Sequence, residues 1–310
     1  MVCGEALIDL SPVAAESTFR STWAALSAGG PMNTAVGLAR VEQSVEFCGR
    51  FSTDRFGEQL RAHLRRAGVG LGLATVCDDP TSLAVVSLDD RQQATYAFHF
   101  DRTSNFGWRA EELPRLEEAD WLHVGSIATV VDPGAEAVRR WVGDHAGPLS
   151  FDINVRPSVI TDPADYWRRV EPWLALLGRH QGVVKASDED IAALATAFDT
   201  GAGDDPTGVM LQWQERYGFA VGVVTLGREG AWACSADRPA EPVRVAGRPV
   251  QVVDTVGAGD TFMAGFLAAR AEGAGLEAAV GQGVAAAAYV CTRQGPQPPS
   301  RAELNAFLSG

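Results

Sequence analysis

The sequence predicts an α/β protein, a mostly parallel central sheet with helices on both faces and a small β lid. Three observations predict it. From about residue 110, short β runs alternate with helical segments, the rhythm of a parallel sheet covered on both sides. Toward the C-terminus, 261–272 and 276–290 are long, Ala-rich and apolar, as buried helices are. Earlier in the chain, 81–88 and 94–100 flank the turn DDRQQ as an alternating pair, a hairpin outside the main rhythm.

In order, 1–10 reads as a strand on Val2, Leu7, Ile8 and Leu10, and 12–28 as irregular or extended polar chain. A buried helix follows over 33–41, then a short strand over 45–49. The amphipathic helix 56–67 is closed by Gly68. After the hairpin come strand 121–124, helix 134–142, strand 149–153 and helix 166–177. Strand 182–185, helices 188–198 and 209–217, and strand 221–225 continue the pattern. A last strand is expected over 250–253. No repeat or low-complexity linker interrupts the chain, so 1–310 reads as a single domain with a lid from about 10–28 and 80–108.

Composition narrows the function. Of 310 residues, 46% are apolar and 21% charged, which suits a folded globular chain. A net charge of −13 argues against a broad nucleic-acid face, which needs clustered Lys and Arg. It does not exclude a nucleotide, because backbone N–H groups and a few cations make a phosphate site. No apolar run approaches the roughly 20 residues of a membrane span. The opening MVCGEALIDL lacks a basic n-region and a cleavage site, so no signal peptide is expected. Cys3, Cys48, Cys77, Cys234 and Cys291 are scattered and odd in number, which predicts reduced thiols in a cytoplasmic protein.

The chemistry concentrates in DTVGAGD, Asp254–Asp260, between the run QVV and the apolar helix TFMAGFLAAR. Gly257 and Gly259 permit a tight turn, and Ala258 lies between them. The first N–H groups of the helix point out unpaired and make an anion hole suited to a phosphoryl group in transfer. Asp260 falls in that first turn, where the helix dipole favours the carboxylate. It can accept a hydroxyl proton while the amides hold phosphate. Spacing alone supports equally a glycine-rich turn with Asp260 as a helix cap. The near-copy DTGAGD at 199–204 is followed by DPTG and reads as a surface turn.

Order along the chain breaks the tie. DTVGAGDTFMAGF resembles the C-terminal signature of the PfkB, or ribokinase-like, carbohydrate kinases, and AGGPMNTAVGLAR at 28–40 is similar to the N-terminal one. HVGSIA, FDINVRP, VKASDED, VVTLGREGA and AAAAYVCTRQGPQPP follow in family order, so the likeness spans essentially the whole chain. It implies a ribokinase-like three-layer fold with a β lid over the sugar. GEALIDL, YAFHFDRTSNFGW and VKASDEDIAAL look most like the fructokinase branch. The implied reaction is ATP-dependent phosphorylation of D-fructose to fructose 6-phosphate. 2-Keto-3-deoxygluconate is the second acceptor, and ribose or a nucleoside the third.

Residue roles follow from the same likeness. Asp260 is the implied base, with Gly257, Ala258 and Gly259 as anion hole and Arg156 as phosphate or carboxylate clamp. Asp9, whose carboxylate suits a grip on two hydroxyls, is the implied sugar ligand, with Gly29, Gly30 and Asn33. Lys185, Ser187, Thr225, Gly227 and Gly230 are implied on the nucleotide side, together with Gly257 and Gly259. SDED stands where relatives carry NxxE, and Asp190 takes the place of that glutamate, serving Mg²⁺ through water. Asp254 with the carbonyls of Val256, Val290, Arg293 and Gly295 resembles the family's K⁺ site. Gly283 stands where relatives often have Asn or His near adenine, and His99 falls in the lid hairpin within reach of a sugar. A homodimer through the lid is also implied.

Two other classes remain distinguishable. A sugar- or nucleotide-binding regulator would keep the fold without turnover, against which Asp260, GAG and Asp9 are intact. A Rossmann oxidoreductase lacks its GxGxxG at the first βα turn.

Overall fold

The chain is known as a computed structural model that describes residues 1–15, 17, 19–88, 94–116, 121–195, 197 and 205–309. The turn DDRQQ, the near-copy DTGAGD and the expected helix end at Phe198 lie outside the described residues.

The N-terminal third builds β1 (Val2–Cys3), β2 (Leu7–Ala15), β3 (Ser21–Ala28), α1 (Gly30–Arg40), β4 (Phe47–Cys48), β5 (Arg50–Ser52) and α2 (Arg55–Arg66). β6 (Thr75–Cys77), β7 (Leu83–Leu88) and β8 (Ala94–His99) complete it. The alternating part supplies β9 (Leu122–Gly125), α3 (Gly134–Gly143), β10 (Leu149–Asp152), α4 (Pro163–Arg179), β11 (Val183–Ser187), α5 (Asp188–Ala195), α6 (Pro206–Tyr217) and β12 (Val221–Thr225). β13 (Gly230–Ser235), β14 (Val243–Ala246), α7 (Ala258–Ala271), α8 (Leu276–Val290) and α9 (Arg301–Ser309) close the chain.

Among the described residues the main sheet runs β14-β13-β12-β11-β10-β9-β1-β4. Its strands are parallel from β4 to β12 and antiparallel at β13 and β14. Successive residues of a strand feed opposite faces. Val183 and Val223 join a core with Met32, Phe262 and Phe266 under α1, α7 and α8. Val184 and Val224 join the other core with Trp173, Trp213 and Tyr166 under α3 to α6. This two-sided burial is why the strands read as unbroken apolar runs. A second sheet, β3-β2-β7-β8, forms the lid. Among the described residues no helix is long and apolar enough to cross a membrane.

Four departures from the sequence reading have physical causes. The run 1–10 is two strands: the chain leaves the main sheet at Gly4, packed under Pro31 of α1, and enters the lid as β2. Residues 12–28 are mostly the ribbon of β2 and β3, paired from Leu7↔Ala28 to Ala15↔Ser21. The expected strand 250–253 is not a strand, and Val252 and Val253 are exposed at 59% and 61%. The antiparallel edge is instead β13 and β14, whose Ala231–Cys234 is buried on both sides. α9 carries a legible capping box, Ser300 and Glu303, each side chain accepting from the other's backbone N–H.

Candidate active site

A cleft of about 2250 Å³ opens between the lid and the C-terminal ends of the main strands. Its floor is the start of α7. Gly257 takes φ 77 as the helix N-cap, a left-handed conformation glycine accepts without strain. The amide of Ala258 closes the preceding turn by donating to the Thr255 carbonyl at 3.1 Å. Gly259 and Asp260 supply first-turn amides that no earlier turn of the helix can satisfy.

Asp260 projects from this turn against α1. Asn33 Nδ2 donates to Asp260 Oδ2 at 2.8 Å, and Thr34 Oγ1 donates to the Asp260 carbonyl at 3.3 Å. Burial pushes the Asp260 carboxyl above the usual range, while the Asn33 hydrogen bond, Arg156 and Lys185 pull it back. Helix α1 begins at Gly30, three residues before the expected Asn33, and its N-cap is Gly29 at φ 131. The two glycines divide their work. A Cβ on Gly29 would meet the Glu5 carbonyl at 2.5 Å, whereas one on Gly30 would meet Asn154 Nδ2 at 2.9 Å and Asp260 Oδ1 at 3.1 Å. Gly30 therefore faces the carboxylate and Gly29 the β1–β2 link.

The opposite wall comes from the ends of β9 and β10. Asn154 Nδ2 donates to Ser126 Oγ at 3.1 Å, and both residues hold positive φ, 45 and 61. Strained backbone of this kind concentrates at functional sites. Arg156 also lines the cleft, its Nη1 donating to the Val155 carbonyl at 3.0 Å. Asp9 lies inside lid strand β2 rather than at a strand end, paired with Leu26 and Ala84. Burial lifts its carboxyl to about 6 against the pull of Arg156.

On the nucleotide-side positions, Thr225, Gly227 and Gly230 line the cleft at the β12–β13 turn, where Gly227 and Gly230 take positive φ. Ser187 and Asp190 cap α5 reciprocally, Ser187 N–H to Asp190 Oδ2 at 2.8 Å and Asp190 N–H to Ser187 Oγ at 3.0 Å. Asp190 Oδ1 accepts from the Val155 amide at 2.7 Å, tying this cap to the Arg156 loop. Lys185 is buried at 3%, its Nζ 3.0 Å from each oxygen of Asp152. The Asp254 carboxylate accepts from Val256 N–H at 3.0 Å and Gly295 N–H at 2.9 Å, joining the loop before α7 to the one after α8. The carbonyls of Val290 and Gly295 accept from the Arg293 and Gln297 amides.

Neither Gly283 nor His99 lines the cleft. Gly283 is buried against Phe262, where a Cβ would lie 2.8 Å from the ring, because that face of α8 packs on α7. Val284, Ala287, Ala288 and Cys291 line the cleft from α8 and its end instead. His99 is also absent from the lining. Tyr96 and Phe98 line it, stacked with centroids 6.0 Å apart, and strand alternation turns residue 99 to the other face. That alternation was readable in YAFHF. Glu5, Ser126 and Tyr96 are lining residues that sequence reasoning missed; for Glu5 and Ser126 no local pattern signals the position.

Among the described residues no group of three or more His, Cys, Asp or Glu side chains could cage a metal. The cleft offers carboxylate and amide oxygens with backbone N–H groups. This set suits a hydrated divalent ion carried in on phosphates.

Comparisons with known proteins show likeness in sequence and fold. The model for "pfkB family carbohydrate kinase" matches residues 1–303. A fructokinase from Salmonella typhimurium is 33% identical over 277 residues, 87% of this chain and 83% of that protein. The crystal structure of a fructokinase from Vibrio cholerae O395, with fructose, ADP and calcium ion bound, is similar at 27% identity and a TM-score of 0.83. It covers 99% of this chain and 97% of its own. A double mutant from the same organism, binding fructose, ADP and potassium ion, gives the same figures.

Proposed function

Since the chain belongs to the pfkB family of carbohydrate kinases, we propose that it transfers the γ-phosphoryl group of ATP to D-fructose, giving fructose 6-phosphate. It is a phosphotransferase with a sugar hydroxyl as acceptor. The observation that carries the reading is the meeting of Asp260, Asn33, Gly30 and Asn154 at the floor of a cleft roofed by Asp9, Tyr96 and Phe98.

In this reading Asp9 grips the sugar hydroxyls from the lid, and the stacked rings of Tyr96 and Phe98 cover its apolar face. Asn33 holds the Asp260 carboxylate toward the acceptor hydroxyl, from which Oδ1 takes the proton. The first-turn amides of α7 and the Arg156 guanidinium face the transferring phosphate and stabilise its charge. ATP brings the phosphoryl group, and Asp190 would serve a phosphate-bound Mg²⁺ through water, an ion that would supply charge neutralisation. The Asp254 bridge between Val256 and Gly295 orders the backbone in which a K⁺ ion would sit. Exposed Val13, Phe19 and Trp23 on the lid suit it to pair with a second copy, and five free cysteines suit a reducing cytoplasm.

The test is ADP release over a panel of ketoses, aldoses, 2-keto-3-deoxygluconate, ribose and nucleosides. D-Fructose should give the highest kcat/KM. A higher value for the keto-acid would assign Arg156 to a substrate carboxylate. Normal ATP binding with no turnover on any acceptor would make the protein a regulator.

A further inference from the structure

Lys185 sits beneath the start of α7 and lines the cleft with its buried end, the ammonium turned onto Asp152. Its Nζ is 3.0 Å from both oxygens of Asp152, on the neighbouring strand β10. A Cβ built on Gly259 would come within 3.1 Å of that nitrogen, so the ammonium lies over the side-chain-free face of the residue preceding Asp260. The pair is buried, with side chains 4% and 6% exposed.

Carboxylates outnumber cations around this point, and Lys185 is what offsets them. β10 brings Asp152, α5 brings Asp190 and α7 brings Asp260. Arg156 enters from the loop after β10, is half-buried and faces the cleft. β9 contributes His123, which burial and Lys185 hold neutral, its pKa near 3, and α1 contributes the uncharged Asn33. Lys185 is thus the buried cation among several carboxylates. Burial pushes the Asp152 carboxyl up to about 7, with Lys185 opposing, and Asp190 and Asp260 add to the rise. Like charges in so small a volume cannot all ionise without a counter-charge.

We propose that Lys185 is a positioning residue of phosphoryl transfer: clamped on Asp152 under Gly259, its ammonium balances the buried carboxylates and keeps Asp260 ionised when substrate binds. The proposal rests on the reading of Asp260 as the base. It replaces a direct grip of Lys185 on ATP phosphate with an action through charge.

The experiment is the pH profile of kcat/KM for the full chain with ATP, Mg²⁺ and fructose, in Lys185→Met, Asp152→Asn and the double variant. Lys185→Met should move the acid limb upward by about one pH unit, cut the rate about tenfold on the acid side of the parental limb and recover at high pH. Its KM for ATP should change less than about threefold, as expected of a group that touches no phosphate. Asp152→Asn, which keeps the cation and removes one carboxylate, should move the limb downward. The double variant restores the net charge and should bring the limb back near its original place. An unmoved limb in Asp152→Asn overturns the proposal even if Lys185→Met does not fold. So does a Lys185→Met variant whose loss lies in the KM for ATP and is not relieved by Asp152→Asn. Asp260→Asn is measured in parallel. Retained turnover there sinks the base assignment itself, whereas an inactive Asp260→Asn beside unmoved limbs sinks only the role of Lys185.

Discussion

Replacing Asp260 by Asn separates catalysis from folding at one atom. The amide has the size of the carboxyl, and its oxygen can still accept from Asn33 Nδ2, now at 2.8 Å. What is lost is the charge and the affinity for a proton. A positioned general base contributes about 10²–10⁴ in rate, or about 2.7–5.5 kcal/mol at 1.36 kcal/mol per tenfold. Stability should move the other way. Burial raises the Asp260 pKa in the folded protein, so the folded state binds the proton more tightly than the unfolded one. Its contribution to stability therefore falls as pH rises from the unfolded value of about 3.9 to the folded one, and stays unfavourable above it. A neutral Asn removes that penalty. The assay is coupled ADP release with fructose beside thermal melts at pH 7.5. The expected result is a kcat lower by at least about 100-fold with a melting temperature unchanged or raised. Turnover within tenfold of the parent would refute the base assignment. Loss of rate together with loss of stability would refute the reasoning about burial.

Three further predictions follow from the site. Because burial lifts the Asp9 carboxyl to about 6, the KM for fructose should rise as pH falls below that value, with little change in kcat. A flat KM between pH 5 and 7.5 would contradict the carboxylate grip. In Gly30→Ala the new methyl would crowd Asn154 Nδ2 and Asp260 Oδ1, at 2.9 and 3.1 Å. A loss of about 100-fold in kcat/KM with a near-parental melt is expected, since small displacements of reacting groups cost that much. Asp254→Ala removes the acceptor shared by the Val256 and Gly295 amides. Activation by K⁺ over a large inert cation such as choline should be lost, and an unchanged potassium titration would detach Asp254 from cation binding.

How far the site was legible depends on the kind of signal. Asp260, Asn33 and the pair Gly29 and Gly30 were reached through two short strings that resemble family signatures; spacing alone left DTVGAGD open to a capping turn and did not choose between the two glycines. The strand expected over 250–253 was wrong for a related reason. Three valines in four residues satisfy a local β pattern, yet this segment crosses the rim of the cleft with Val252 and Val253 exposed. Val253 N–H pairs with the Cys291 carbonyl instead of a ladder partner. β13 was passed over because Gly230 was read as a nucleotide contact and not also as the start of a strand. The capping box at Ser300 and Glu303 was in plain view, and α9 follows from it.

The sequence by itself determined the alternation of strands and helices, the two buried C-terminal helices, the lid hairpin and the glycine turn that opens α7. These are periodicities and turn chemistries that act over a few residues. Only the tertiary structure decided which groups meet. It set Asn33 against Asp260 across 227 residues of chain, put Lys185 under Gly259 on Asp152 and turned Gly283 onto Phe262. It likewise chose Tyr96 and Phe98 over His99 to face the cleft. Burial, charge balance and the pKa values they set belong to pairs of elements brought together by packing. No single segment carries that information, whatever motif it holds.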